Sequence, residues 1–273
     1  MDTDEAAELR AKCPRFRALI VGRANAGKTT ILKAICNSTD EPRIYGSYNW
    51  RKGGREEIDA DIVSPSVERG GHDINNELVF SSNDGFVFHD SRGFESGSTA
   101  EVESMKRFIE ERADARSLDQ KLHAIWYCIP TDNARLLVTA ELEFFDNCDP
   151  KGVPVIVIFT KFDSLDAIAF TKLEEEGASF EEAEAQAPQL AEQEFNKEQL
   201  PRIFGRKYAP AKVVYLRDMH KNGKYEKIIE LTTEALSSET LKMLLVSVQK
   251  TNLNICISYA LKRKVQQQME GEI

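Results

Sequence analysis

The chain has 273 residues, of which 41% are hydrophobic and 30% are charged, a composition typical of a soluble globular protein with a substantial core. Its formal net charge of -9 argues against a protein that binds nucleic acid mainly through electrostatics, because neutralising phosphates requires a basic face. Five scattered cysteines without a C-x-x-C pair predict buried, reduced thiols rather than a disulfide framework or a zinc site.

No targeting or membrane segment is predicted. The acidic residues 1–5 are not followed by an apolar segment, so we do not expect a signal peptide. The most apolar run, residues 153–159, is too short to cross a bilayer. The expected location is therefore cytoplasmic, and membrane contact is not expected.

The first predicted elements enclose a glycine-containing loop. A strand at 16–21 precedes residues 22–29, which read GRANAGKT, and a helix follows at 30–36. The loop matches G-x-x-x-x-G-K-[ST] and has the strand and the helix that a phosphate-binding loop requires. Glycines let backbone N–H groups turn towards an anion, and the helix adds its positive end. Lys28 would reach the β- and γ-phosphates, and the Thr29 hydroxyl would bind Mg²⁺.

The next region contains a long loop and a hairpin. Residues 38–71 show no periodicity, and a loop of this length is usually functional or mobile. Two strands at 72–81 and 85–89 are predicted to pair across a turn at 82–85. The second strand leads to Asp90. Because His89 precedes Asp90 on this strand, its side chain is predicted to face away from the phosphates, and we interpret all four histidines as structural.

Strands and helices alternate through the rest of the chain. Strands are predicted at 122–129, 153–159 and 212–216, and helices at 99–116, 136–148, 225–236 and about 239–266. This alternation predicts an α/β fold with a mainly parallel sheet of about six strands, helices on both faces and the hairpin at one edge.

Two segments are predicted as additions to this core. Residues 166–209 are acidic and helix-forming, with breaks expected at Gly177, Pro188 and Pro201. Solvated helices are the favoured interpretation, and an acidic partner surface is the alternative. The last helix has an apolar face, formed by Leu241, Leu244, Leu245 and Val248. We expect this face to pack on the domain, the alternative being membrane contact.

Three motifs lie in order along the chain: residues 22–29, residues 90–93 (DSRG) and residues 160–163 (TKFD). This arrangement resembles the P-loop GTPases of the translation-factor class, from about residue 16 to about residue 236. Within that class it is most similar to Era-like and septin-like G domains, of a kind seen in uncharacterised fungal proteins. The resemblance implies a three-layer P-loop NTPase fold. Residues 1–273 would form one G domain that includes the two additions.

The resemblance also assigns the nucleotide contacts. The phosphate contacts would come from Gly22, Ala24, Asn25, Ala26, Gly27, Lys28, Thr29, Thr30 and Gly93. Asp163 would accept hydrogen bonds from guanine N1–H and the N2 amine, a pair of donors that adenine lacks. Lys161 would lie along the base. Thr160 replaces the commoner Asn, so a hydrogen bond that fixes the loop is either lost or made by its hydroxyl. A backbone N–H near Arg217 would face guanine O6.

Magnesium would be held by Thr29, by Asp90 through water and by a ligand from the first switch. Ser66 is the candidate for that ligand, with Ser64 or no such residue as alternatives. The backbone N–H of Gly93 would meet the γ-phosphate, whose loss would free the segment. The candidate catalytic residues are therefore Lys28, Ser66 and Gly93.

Three further residues bear on hydrolysis. Phe94 follows Gly93, where Ras-like enzymes carry a glutamine that orients the attacking water. Asn25 could help to hold a potassium ion, as in some Era-like relatives, although a role in stabilising the loop is favoured. Arg69 could supply positive charge, although an exposed loop arginine is the favoured interpretation.

The expected ligands are Mg²⁺, GTP or GDP, and K⁺ if Asn25 has that role. The leading interpretation is a GTPase with weak intrinsic activity that acts as a molecular switch. The alternative is a scaffold that binds guanine nucleotide with negligible hydrolysis and assembles with a second copy or a protein partner through its switch loops. A third interpretation, an ATPase or small-molecule kinase, is opposed mainly by Asp163. A nucleic-acid partner is not expected.

Overall fold

The computed structural model describes residues 13–46, 57–58, 73–91, 99–133, 136–220, 224–249, 257 and 259–261. The strands in these ranges are β1 (Phe16–Gly22), β2 (Arg43–Tyr45), β3 (Glu57–Ile58), β4 (Glu77–Phe80), β5 (Asn83–Asp90), β6 (Ala124–Pro130), β7 (Val155–Thr160) and β8 (Lys212–Tyr215). The helices are α1 (Lys28–Ile35), α2 (Thr99–Ala113), α3 (Thr139–Asn147), α4 (Asp163–Glu175), α5 (Phe180–Glu198), α6 (Leu200–Phe204), α7 (Glu226–Ala235) and α8 (Glu239–Ser247). A 3₁₀ turn covers Leu118–Gln120.

All eight strands form one sheet in the order β3-β2-β4-β5-β1-β6-β7-β8. The strands β5, β1, β6, β7 and β8 are neighbours in this order and run parallel to one another. The strands β4, β2 and β3 extend the sheet beyond β5, each pairing antiparallel with its neighbour. The predicted α/β class with a mainly parallel sheet is confirmed. The predicted number of about six strands is wrong, because β2 and β3 lie in the region interpreted as a loop.

Helices cover both faces of the sheet, as the sequence predicted. Alternate residues of each strand point to opposite faces, so that Ile20 and Trp126 join one core cluster and Val21 and Tyr127 join the other. Helices α1, α7 and α8 contribute to the first cluster, and α2, α3, α4 and α5 contribute to the second. Every residue of β1, β6 and β7 is buried, which explains why these strands are mostly apolar, with Arg17 as the one charged residue among them.

The hairpin turn lies earlier than predicted. The turn residues are Ser81 and Ser82, and β5 already begins at Asn83. The side-chain oxygen of Asn83 accepts a hydrogen bond from the Gly85 N–H, and its amide donates to the Val248 carbonyl. Asn83 is therefore a buried strand residue whose side-chain amide is hydrogen-bonded, although asparagine is more typical of turns.

Helix α5 continues through Pro188, so the break predicted there is wrong. A proline inside a helix costs about 3 kcal/mol, and the buried apolar stripe of this helix offsets that cost. The stripe comprises Ala183, Ala187, Ala191 and Phe195. The other two expected interruptions are present: Gly177 has φ +97° between α4 and α5, and Pro201 lies in the first turn of α6.

The last long helix is shorter than predicted. Helix α8 ends at Ser247, and among the described residues beyond it, 257 and 259–261 are helical. Its apolar face packs on the domain, as expected: Leu244 and Leu245 are fully buried. A Cβ on Gly85 would lie 2.8 Å from the Cβ of Val248. No helix in the described ranges is both long and apolar enough to cross a membrane.

A buried polar network lies near the start of β1. The guanidinium of Arg17 donates to Glu77 at 2.8 Å and contacts His89 Nε2 at 2.7 Å. His123 accepts the backbone N–H of Arg17 through Nδ1, so its Nε2 carries the proton donated to the Leu118 carbonyl. These contacts give both histidines the structural role predicted for them.

Acid should destabilise the fold through this network. Burial lowers the pKa of His123 from 6.5 to about 4 and also lowers that of His89. As the pH falls, these histidines take up protons in the unfolded chain before they do so in the folded chain. The free energy of unfolding therefore has its full value above pH 6.5 and decreases as the pH falls towards 4. His123 should contribute a loss of about 1.4 kcal/mol per pH unit in that window, and His89 should act in the same direction.

Urea unfolding between pH 7 and 4.5 measures this loss directly. We expect His123→Gln to have a shallower pH dependence than the wild type, because the replacement does not titrate. His220→Gln, at an exposed position, is the matched control and should keep the wild-type slope. A His123→Gln protein with the full wild-type slope would show that His123 does not contribute.

Candidate functional site

The phosphate-binding loop connects β1 to α1 at the carboxyl end of the parallel strands. Gly27 lies before the first helical residue with φ +77° and ψ 12°, and Asn25 also has a positive φ of 59°. A Cβ on Gly22 would lie 2.4 Å from the Cys128 carbonyl oxygen on the neighbouring strand β6. The first glycine is therefore required by close approach and the second by backbone conformation.

Two side chains of the loop are held by neighbouring groups. Lys28 Nζ donates to the carbonyl oxygens of Gly22 at 2.8 Å and Arg23 at 3.1 Å. Arg23 forms a 2.8 Å ion pair with Glu141 of α3, a carboxylate that is 1% exposed. Burial raises the pKa of Glu141 above its ordinary value. The ammonium group of Lys28 thus lies at the loop, as a contact with phosphate requires.

Four more of the predicted phosphate contacts lie in this loop and at the start of α1. Ala24 and Thr29 are exposed, Thr30 is half-buried in α1, and Ala26 is buried. Ala26 donates its N–H to the Arg23 carbonyl at 3.2 Å, which closes a turn within the loop.

Asp90 ends β5 next to this loop. Its register partner on β1 is Ile20, two residues before the loop, and its Oδ1 lies 3.9 Å from Lys28 Nζ. Thr29, in the first turn of α1, and Asp90 both offer oxygen donors, the type that Mg²⁺ prefers. Thr29 and Asp90 therefore fit a magnesium ion, whose charge would neutralise that of a bound phosphate.

The TKFD segment ends β7 and begins α4. The Thr160 hydroxyl donates to the Ala26 carbonyl at 3.1 Å, so this bond joins the segment to the phosphate-binding loop. Of the two outcomes left open for Thr160, the structure supports the second: a hydroxyl bond is present where Asn is commoner. Lys161 has a left-handed backbone with φ 56°, and its Nζ pairs with Asp132 Oδ2 at 2.7 Å.

Asp163 is the first residue of α4, and the loop after β8 meets it. Asp163 Oδ1 accepts the backbone N–H of Asp218 at 3.2 Å. The backbone donor that bonds to Asp163 therefore belongs to Asp218, one residue after the predicted Arg217. The 217–219 loop lies beside Asp163, as the prediction of a shared base site requires.

The side chain of Arg217 has a different role from the predicted base contact. It forms ion pairs with Asp166 at 2.6 Å and Glu192 at 2.8 Å. Its guanidinium carbon lies 4.8 Å from the centre of the Phe162 ring. The Arg217 side chain therefore contacts α4 and α5, and the contact of a nearby backbone N–H with guanine O6 remains a prediction.

Three supporting residues were not predicted from the sequence. Thr131, after β6, donates to the carbonyl oxygens of Thr160 and Lys161. Asp132 pairs with Lys161. Met219 packs under the phosphate-binding loop, where a Cβ on Gly27 would lie 2.7 Å from its Cε. Thr131 and Asp132 follow a buried parallel strand, and this position could have identified them, because strand ends meet at one edge of the sheet.

Several predicted residues lie outside the described part of the chain. These are Ser64, Ser66, Arg69, Gly93 and Phe94. Their assignments remain predictions. The described residues bring together the phosphate-binding loop, Asp90, the TKFD segment and the 217–219 loop.

The chain was compared with known proteins. No family model matches it, and no curated protein matches it. Among solved structures, it is similar to a mutant of S. thermophilus NFeoB bound to GDP, with a TM-score of 0.41, 14% identity, and coverage of 81% of this chain and 63% of that chain.

Two further solved structures are similar. One is a mutant of Aquifex aeolicus Era bound to GDP.AlF4-, with a TM-score of 0.38, 14% identity, and coverage of 81% of this chain and 57% of that chain. The other is the septin GTPase domain from Chlamydomonas reinhardtii, with a TM-score of 0.32, 17% identity and coverage of 59% of each chain. The chain thus spans less than two thirds of the length of each of these structures.

Proposed function

We propose that this chain is a Mg²⁺-dependent guanine-nucleotide-binding protein that hydrolyses GTP slowly and acts as a molecular switch. One observation carries the proposal: the phosphate-binding loop and the base-reading segment are directly joined by the Thr160–Ala26 hydrogen bond. Such a site can hold phosphates at Lys28 and a base at Asp163 at the same time. A glycine turn that binds no ligand would need neither a phosphate site at Lys28 nor a base site at Asp163.

The choice of guanine rests on Asp163. A carboxylate can accept both the N1–H and the N2 amine of guanine, whereas adenine would leave its oxygens without donors. The 217–219 loop supports this assignment, because the Asp218 N–H already lies 3.2 Å from Asp163 Oδ1. We expect a backbone N–H of this loop to contact guanine O6.

The direct test is calorimetric binding of GDP and ADP to the full chain, with Mg²⁺ and with EDTA. We expect GDP to bind and ADP to bind at least about a thousandfold more weakly, because a site built for hydrogen-bond donors strongly rejects a base that lacks them. Chelation of Mg²⁺ by EDTA should lower the affinity for GTP more than the affinity for GDP. Equal affinity for GDP and ADP would reject the guanine assignment, and no binding of either would reject the whole proposal.

A second candidate function is a scaffold that binds guanine nucleotide without appreciable turnover. Phe94 favours it, because a phenyl ring cannot orient water in the place of a glutamine side chain. The intact Lys28, Thr29 and Asp90 favour the enzyme. Both functions need the same nucleotide site, so only the hydrolysis rate separates them.

Unassisted hydrolysis should be slow, on the order of 10⁻⁴ to 10⁻³ per second, near the rate of an unstimulated Ras-like switch. Phe94→Ala should change this rate little. Single-turnover assays in sodium and potassium buffers, at low and high protein concentration, measure it. A strong rise with potassium would support a role for Asn25, and a rise with concentration would support self-association. A rate of several per second in sodium at low concentration would contradict this expectation and make Arg69 the first residue to test.

A further inference from the structure

One side chain, Arg217, pairs with both α4 and α5 from the loop that follows β8. Arg217 Nε and Nη2 donate to the two carboxylate oxygens of Asp166 at 2.6 and 3.1 Å, and Nη1 donates to Glu192 Oε1 at 2.8 Å. Nη2 also donates to the Pro188 carbonyl at 3.2 Å. The paired contact with Asp166 fixes the guanidinium plane, since two parallel bonds define its orientation.

These partners belong to the elements that carry the base reader. Asp166 lies one turn after Asp163 on α4, and Phe162, under the Arg217 guanidinium, immediately precedes Asp163. Asp163 in turn accepts the N–H of Asp218, the residue after Arg217. The Arg217 side chain therefore ties the 217–219 loop to the segment that presents Asp163.

The helix α5 is attached at the same point by aromatic packing. The Phe195 ring centre lies 5.2 Å from that of Phe162 and 6.0 Å from that of Tyr215, and both contacts are edge-to-face. Phe162 thus lies between Arg217 and α5. The acidic helix pair that the sequence suggested as a solvated addition contributes both charge and apolar contact to the support of the base loops.

We propose that Arg217 is a positioning residue for base recognition, and that Glu192 of α5 acts through it to fix Asp163 and the 217–219 loop. This inference rests on the proposed guanine site. The Asp163 carboxylate must meet two donors on one edge of the base, so a small displacement of α4 relative to the loop weakens that contact selectively. Arg217 and its partners hold this relative position.

The experiment measures the preference for GDP over IDP, which lacks the N2 amine, in the full chain with Mg²⁺. Arg217→Ala should reduce this preference by about tenfold or more, the order expected when a hydrogen bond to a charged group is lost. GDP should lose most of the affinity and IDP less. Arg217→Lys keeps the charge but cannot form the paired contact, so its preference should fall between those of the wild type and Arg217→Ala.

The variant Glu192→Ala tests the part played by α5, because its carboxylate pairs with the Arg217 side chain and α5 carries none of the residues predicted to bind nucleotide. It should reduce the GDP preference in the same direction, and the double variant Arg217→Ala/Glu192→Ala should lose little more than Arg217→Ala alone. The matched control is Glu194→Ala on the same helix, whose carboxylate pairs with Lys172 of α4 instead. It should keep the wild-type preference.

The outcomes separate this inference from the proposed function. If the wild type prefers GDP but Arg217→Ala and Glu192→Ala keep its preference while losing thermal stability, the pair is merely structural and the inference is wrong. The inference is also wrong if Glu194→Ala lowers the preference as much as Glu192→Ala. A wild type that binds no guanine nucleotide would overturn the proposed function and this inference with it.

Discussion

Lys28→Ala should lower the affinity for GDP and GTP by about 100-fold or more, since it removes charge-assisted hydrogen bonds to phosphate. The fold should remain intact, because the Lys28 ammonium group contacts backbone carbonyls of the loop and the Asp90 carboxylate rather than the apolar core. Calorimetry with Mg²⁺-GDP measures the affinity, and circular dichroism with a thermal melt checks the fold.

The control for this variant is Lys33→Ala in the same helix α1. Lys33 carries the same charge but pairs with Glu41 at the surface, so its loss should leave the affinity within about twofold of the wild type, as expected for an exposed ion pair. Unchanged GDP affinity in a folded Lys28→Ala protein would remove the assignment of the phosphate-binding loop.

Asp163→Asn should move the base preference from guanine towards xanthine. The amide group offers one donor and one acceptor, which match the xanthine O2 and N1–H, whereas guanine presents two donors. The amide oxygen can still accept the Asp218 N–H, so the adjoining loop should keep its position. We expect the ratio of GDP to XDP affinity to fall by at least about 100-fold, since the variant loses the hydrogen bond from the guanine N2 amine and gains one to the xanthine O2.

Competition between labelled GDP and unlabelled XDP measures this ratio. Asp149→Asn is the control: its Oδ1 accepts the Lys151 N–H in the turn before β7, a contact that an amide oxygen can also make. That variant should keep the guanine preference. If Asp163→Asn still favours GDP by the wild-type margin, Asp163 is not the base reader.

The motifs explain why the core of the site could be predicted from the sequence. A phosphate-binding loop needs particular residues at fixed spacing, so Gly22, Gly27 and Lys28 are identified by local sequence alone. The buried strands β6 and β7 were also predicted, because apolar runs of this length have few other interpretations in an alternating chain. Their ends then locate Asp163 beside the loop.

The parts that were missed depend on distant partners. Strands β2 and β3 have three and two residues, too few for a periodic pattern, and they form because β4 pairs with β2 and β2 pairs with β3. Helix α5 passes through Pro188 because its alanine face is buried against the domain. The side-chain role of Arg217 depends on Asp166 and on Glu192, 25 residues earlier in the chain. No local pattern predicts contacts of this kind.

The hydrogen bond between Thr160 and Ala26 has a consequence for the order of folding. It joins residues 134 positions apart, and Asp163 meets a loop 55 positions further on. Contacts between such distant residues form slowly, because long segments of chain must first be ordered. A chain emerging from the ribosome presents residues 22–29 early, but the contact of Asp163 with Asp218 forms only after β8 has been made. Tight guanine binding would therefore be a late event in the biogenesis of this protein, and bound nucleotide would stabilise only chains that have completed the sheet.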